Sequence, residues 1–241
     1  MILKKQCVSL MIVALTLFGF SASRVSALEQ RADNEIPINE LFKEAYLVDL
    51  NSDLMGIAWW IPWEYWKAVF SQHNQAPPKV IELIESQLRP VFILVVIQAD
   101  VSPQTNFNFF SEETVRRGLK VAYVNRDGKA INLKLVEKSN DTLNLIKQSI
   151  RPVLSEVGGK IGDNFWLFVY GDVDSSGKRI VSPYEPGELR VTLGDRQGIQ
   201  RSQLKVEFPL NSLFVPRLCP NGKPAHVSWK YCPWDGTRLS N

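Results

Sequence analysis

Four of the seven tryptophans in this 241-residue chain fall within eight positions. They are Trp59, Trp60, Trp63 and Trp66, in the run Trp59-Trp60-Ile61-Pro62-Trp63-Glu64-Tyr65-Trp66. Exposed indoles stack on sugar rings or anchor partner proteins, because a large rigid ring contributes contact area at little entropic cost. These four are therefore the candidate ligand-binding residues. The same run also suits an apolar plug between a helix and a sheet, with Trp59 and Trp60 facing opposite ways on a strand and Trp63 and Trp66 sharing a helix face with Phe70. A second candidate is Asp172-Val173-Asp174-Ser175-Ser176-Gly177. It has the opening of a calcium loop, with oxygen ligands on Asp172, Asp174 and Ser176 and a glycine for the turn. The twelfth position, where a bidentate glutamate belongs, is Pro183, so Glu185 or Glu188 would have to complete the site. A solvated turn uses the same residue types.

Catalytic patterns are absent from the sequence. There are two histidines, His73 and His226, and no Gly-x-Ser-x-Gly elbow, phosphate-cradling glycine loop or His-Glu-x-x-His helix. Nothing calls for a cofactor. Acidic residues are numerous, but no spacing singles out a working pair.

These residues need a scaffold, and the first 27 residues are not expected to be part of it. Lys4 and Lys5, the apolar stretch from Cys7 to Phe20, and Val25-Ser26-Ala27 read as a secretory signal peptide cleaved before Leu28. Cleavage leaves 214 residues. It removes Lys4, Lys5 and Arg24 but no acid, so the 28 basic side chains fall to 25 against 25 acidic ones. A balanced charge argues against a nucleic-acid binder. The expectation is an exported protein, periplasmic or secreted, with no membrane span once the leader is gone.

Residues 28–215 read as a β-rich α+β domain. Leu47–Leu50 and Leu54–Ile61 are expected strands, and Pro62 suits the first position of a helix running to about Gln72. Another helix is expected from Pro78 to before Pro90. Val91–Ile97 is apolar without alternation, which implies a strand buried on both faces. Asn106-Phe107-Asn108-Phe109-Phe110 reads as an apolar loop on the core. Ser111 caps a short helix to Arg117, and Leu119–Val124 and Ala130–Val136 form a hairpin around Asn125-Arg126-Asp127-Gly128. Asn140 is the expected cap of the longest helix, with Leu143, Ile146, Ile150, Val153 and Val157 on its buried stripe and Pro152 inside it. Three strands follow: Phe165–Tyr170, Glu188–Leu193 and Gln203–Phe208. The pattern predicts an antiparallel or mixed β-sandwich with inserted helices, and a helix-covered single sheet is the alternative.

Residues 216–241 change character and become rich in Pro, Gly, Cys and Trp. Cys219-Pro220-Asn221-Gly222-Lys223 and Tyr231-Cys232-Pro233-Trp234-Asp235-Gly236-Thr237-Arg238-Leu239 resemble the two knuckles of a zinc ribbon. Such ribbons repeat Cys-Pro-x-Cys-Gly and often end in Gly-x-x-Leu. The resemblance covers about 21 residues, and Gly222 and Asp235 stand where each knuckle's second cysteine belongs. It implies a degenerate ribbon that has lost half its ligands. Ribbon geometry would bring Cys219 and Cys232 together, and loss of Cys7 with the leader leaves them as an even pair in an oxidising compartment, so a disulfide is expected. The alternative is a zinc ion on Cys219, His226, Cys232 and Asp235. The functional expectation is a non-catalytic exported protein that binds a partner protein or envelope component; the alternative is a carbohydrate-binding module or enzyme using Trp59–Trp66.

Overall fold

The structure, a computed structural model, describes residues 28–50, 53–73, 77–102, 106–136, 141–159 and 161–239. The expected leader and Asn140 lie outside these residues. A 3-10 turn (Asp33–Glu35) leads into α1 (Ile38–Ala45), β1 (Tyr46–Leu50), β2 (Leu54–Ile61), α2 (Trp63–His73), α3 (Pro78–Leu88), β3 (Val91–Ser102), β4 (Asn106–Phe109) and α4 (Glu112–Gly118). Then come β5 (Lys120–Val124), β6 (Ala130–Asn132), α5 (Asp141–Gly158), β7 (Trp166–Gly171), β8 (Gly187–Gly194) and β9 (Gln200–Phe208). The chain is α+β and β-rich, and every strand pairing is antiparallel.

The strands form two main sheets. One runs β1-β2-β3, with β4 and β7 both on the far side of β3; the other runs β6-β5-β8-β9. β3 is the axis of the first sheet. Leu94 and Val96 are fully buried on one face, and Ile93, Val95 and Ile97 are at most 4% exposed on the other. Its register pairs Leu94 with Trp60 and Val95 with Trp59, which sorts the two tryptophans onto opposite faces.

The Trp60 face packs on the second sheet. Trp60 stacks on Phe92 and meets the edge of Phe208 from β9 at 5.3 Å. Gln98 donates to the carbonyl of Gly194 on β8. A Cβ on Gly56 would lie 2.5 Å from Leu193 Cδ1, so the sheets approach closely there and Leu193 would have to shift to admit a side chain. The opposite face is covered by helices, with Phe42 of α1 and Tyr65 of α2 edge-on to Trp59. At one side the sheets are tied by Ser202 with Asp49 and by Arg201 with Asp53. At the other, the segment after β6 crosses from one sheet to the other: Leu133 N–H bonds Val121 O, and Leu135 bridges Tyr170.

Most expected elements are present. Ser111 caps α4 by accepting from Thr114 N–H, and Ile146, Ile150 and Leu154 are buried on α5. The loop expected at Asn106–Phe110 is instead β4. β3 continues five residues beyond Ile97 and offers its edge, so Phe107 and Phe109 pair across from Val101 and Ala99.

The tail forms its own small hairpin, β10 (Arg217–Leu218) with β11 (Pro224–Ala225). It encloses a separate apolar cluster of Cys219, Ala225, Cys232 and Leu239. Gly222 and Gly236 follow the two Cys-Pro turns with φ of +78° and +72°, a conformation glycine adopts without strain. Val227 anchors the module in the main core, and its N–H donates to Asn211 Oδ1 at 2.9 Å.

Candidate functional site

The structure removes the aromatic platform. Trp59, Trp60 and Trp63 are 3%, 1% and 7% exposed, and Trp66 is half-buried against Tyr65 and Phe70. The two strand residues face two packed layers rather than one packed layer and water. The carbohydrate reading rested on these rings, and three of the four are buried and not available to stack on a sugar.

Glu64, in the middle of the same run, is buried and ion-paired. Its Oε1 lies 2.7 Å from Arg179 Nη1, and Arg179 Nε lies 2.9 Å from Asp172 Oδ2. Asp172 Oδ1 accepts a bond from Val181 N–H at 2.8 Å. Both carboxylates are buried. Burial raises the Asp172 pKa, and Arg179 pulls against that rise without cancelling it. Burial disfavours the Arg179 cation too, but Glu64 and Asp172 together outweigh this and hold its pKa above the usual value.

This arrangement corrects the calcium expectation. Asp172 points into the core toward Arg179. Asp174 Oδ1 is taken by Ser176 N–H, Ser176 Oγ–H and Lys178 N–H at 2.8, 2.6 and 3.0 Å, closing an Asx turn on Gly177. Those bonds, the Ser176 hydroxyl first, hold the Asp174 carboxyl below its ordinary range. The expected ligands Asp172, Asp174 and Ser176 thus bond within the protein instead of around a common centre.

The Asx turn and Arg179 line a cleft of about 470 Å³ beside Tyr123, Tyr184 and Glu185. Burial raises the Tyr184 phenol's pKa, and the charges of Glu64 and then Asp33 raise it further. Arg179 supplies a single positive charge shared by the two buried carboxylates, each of which pairs with it through one oxygen, while Glu64 Oε2 has no hydrogen-bond partner among the described residues. The ion triad is a clamp that ties α2 to the loop after β7.

In the tail, Cys219 and Cys232 are buried neighbours and stand as separate thiols. Burial, then the hydrogen bond to Cys232 and the charge beside it, pushes the Cys219 thiol up to about 11. The Cys232 thiol also bonds Asp235, whose carboxyl is held low first by Thr237 N–H. The zinc set does not assemble. His226 Nδ1 is engaged by Ser228 Oγ at 2.8 Å, beside Trp229. Among the described residues, no three His, Cys, Asp or Glu side chains form a group that could hold a metal ion.

What the sequence reading missed is the tail's outer surface. Trp229, Tyr231 and Trp234 are 38%, 59% and 49% exposed, and Leu218 is 62% exposed. Trp229 and Trp234 meet edge to face at 6.0 Å, with Lys223 Nζ 5.1 Å from the Trp234 ring. Arg217 donates to the carbonyls of His226, Val227 and Trp229 and so fixes the loop that carries the first indole. The available signal was the small size of the module. With a core of four residues, it cannot bury three further large rings.

No protein-family model matches the chain, and no curated protein matches it in sequence. One solved structure is similar, that of a DUF4426 family protein from Pseudomonas aeruginosa PAO1. The TM-score is 0.32 and the identity 11%, over 69% of this chain and 97% of that one. A likeness of that degree carries no argument about the site. Among the described residues, no helix is long and apolar enough to cross a membrane.

Proposed function

We propose that this is an exported, non-catalytic binding protein, in which the β-rich domain is a rigid body and the C-terminal module contacts a partner protein of the cell envelope or exterior. The carrying observation is the exposure of Trp229, Tyr231 and Trp234 on a module of some two dozen residues, while Trp59, Trp60 and Trp63 are buried. Tryptophan and tyrosine dominate the energetics of protein interfaces, and exposed clusters of them are a cost unless something covers them. The commitment of Glu64 and Asp172 to Arg179 supports a non-catalytic role.

Export rests on the leader. N-terminal sequencing of the protein from its own cells should begin Leu28-Glu29-Gln30. Binding is tested by placing a photo-crosslinking side chain at Tyr231 and, as a control, at Val48, which is 54% exposed on β1. A discrete protein adduct at position 231, absent at 48 and lost with Trp234→Ala, supports the reading. No adduct at 231, or the same adducts at both positions, overturns it.

A further inference from the structure

Charge is divided unevenly along the leader-free chain. Its 25 basic and 25 acidic side chains cancel, yet residues 28–215 carry 21 of the basic and 24 of the acidic ones. The tail holds the remainder: four cations, Arg217, Lys223, Lys230 and Arg238, against one acid, Asp235. A small module of net positive charge therefore sits on a domain of net negative charge. Lys223, Lys230 and Arg238 are exposed, and none of them has an ion pair among the described residues. Asp235 serves its own loop instead, accepting from Thr237 N–H at 2.9 Å and bonding the Cys232 thiol.

These cations lie among the exposed rings. Lys223 Nζ stands 5.1 Å from the Trp234 ring, which meets Trp229 edge to face. Tyr231 and Arg238 are opposite one another in an antiparallel bridge, which sets their side chains on one face. Lys230 separates Trp229 from Tyr231 in sequence. All three rings keep more than a third of their surface in solvent, so the apolar part of this face is open to an occupant. Rings interleaved with free cations match an occupant in which apolar groups alternate with carboxylates. An anionic membrane matches less well. Seating Trp234 in hydrocarbon would carry the Lys223 ammonium in with it, and the negative domain would be repelled by the same lipid head groups.

We infer that the tail's partner is an acidic protein segment, whose apolar side chains cover Trp229, Tyr231 and Trp234 and whose carboxylates meet Lys223, Lys230 and Arg238. This rests on the reading of the tail as a partner-binding surface and adds the partner's chemistry. The rings supply the contact area, and the charges speed encounter and fix orientation. The negative domain disfavours the same segment elsewhere on the molecule, which directs it to the tail.

The test uses the leader-free chain and a short labelled peptide alternating glutamate with leucine, its binding followed by fluorescence anisotropy. A lysine–leucine peptide is the charge-reversed counterpart, and phosphatidylglycerol vesicles are the membrane alternative. The expectation is saturable binding of the acidic peptide, weakened by added salt and about tenfold by Lys223→Glu or Arg238→Glu, each of which turns an attraction into a repulsion. Lys223→Arg and Arg238→Lys should retain binding, which separates charge from any loss of fold, and Trp234→Ala should weaken it. Absence of saturable binding overturns the inference, as does equal affinity for the lysine–leucine peptide. Binding to the vesicles without binding to the acidic peptide overturns it too, and makes the partner a membrane. The photo-adduct at Tyr231 separates this inference from the reading beneath it. An adduct unchanged by the two charge reversals refutes the acidic partner and leaves the binding surface standing, whereas no adduct removes both.

Discussion

Replacing Arg179 with methionine preserves most of the side chain's volume but leaves Glu64 and Asp172, 4% and 1% exposed, facing each other without their shared cation. Each attraction is about 4 kcal/mol at a charge separation near 4 Å and an effective dielectric of about 20. Desolvation of the ions offsets much of this in the native protein. Protonation sets a limit on the loss. At pH 7, driving a carboxyl from its ordinary 3.8 to neutrality takes roughly three pK units at about 1.4 kcal/mol each, so one orphaned acid costs at most about 4 kcal/mol. At pH 5 the same limit is under about 2 kcal/mol. The expected loss is therefore about 3–5 kcal/mol at pH 7, shrinking by about half at pH 5. The sign follows from proton uptake. Without Arg179 the folded chain binds protons more tightly than the unfolded one, so stability relative to the parent falls as pH rises. The parent shows a milder form of this. Asp172 is already raised by burial, and its contribution is fully present below about 3.8 and lost as pH rises through the raised value. Urea unfolding, followed by fluorescence of the buried indoles at both pH values, measures it. A loss below about 1 kcal/mol at pH 7, or equal losses at the two pH values, would refute the clamp.

Leu94→Ala, at a position with no solvent access, should cost about 2–5 kcal/mol in the same assay, and a cost below about 1 kcal/mol would mean that the sheets are not closely packed there. Gly118→Ala tests the α4–β8 approach. The added methyl would lie 2.7 Å from Gly194 Cα, so despite alanine's better helix propensity it should destabilise by about 1–3 kcal/mol, and a gain in stability would contradict the contact. Cys219 and Cys232 are separate but neighbouring thiols in the structure; if the proposed export holds, protein recovered from the cell exterior or envelope should show them joined, with a mass lower by two hydrogens, and reduction should cost about 3 kcal/mol for a loop of this length. Two free thiols in that material would rule out the disulfide.

Local patterns in the sequence identified most of the elements. The unbroken apolar run at Val91–Ile97 could be accommodated only by a strand covered on both faces, and it lies between the helices and the second sheet. Ser111 and Pro62 marked helix starts because their chemistry at those positions is local. Side-chain exposure was not legible in the same way. A strand's alternation shows that Trp59 and Trp60 point apart, but not that both directions are covered, because the covering layers come from α1 and from β9, some 150 residues away. Asp172 looked like a metal ligand because it opens a turn. Its partners Glu64 and Arg179 come from elements that meet only in three dimensions, and burial makes the guanidinium, not water or an ion, its counter-charge. The aromatic surface of the tail likewise depends on where the small module settles against the sheets. That placement is decided by summed burial over the whole core, which no short window of sequence contains.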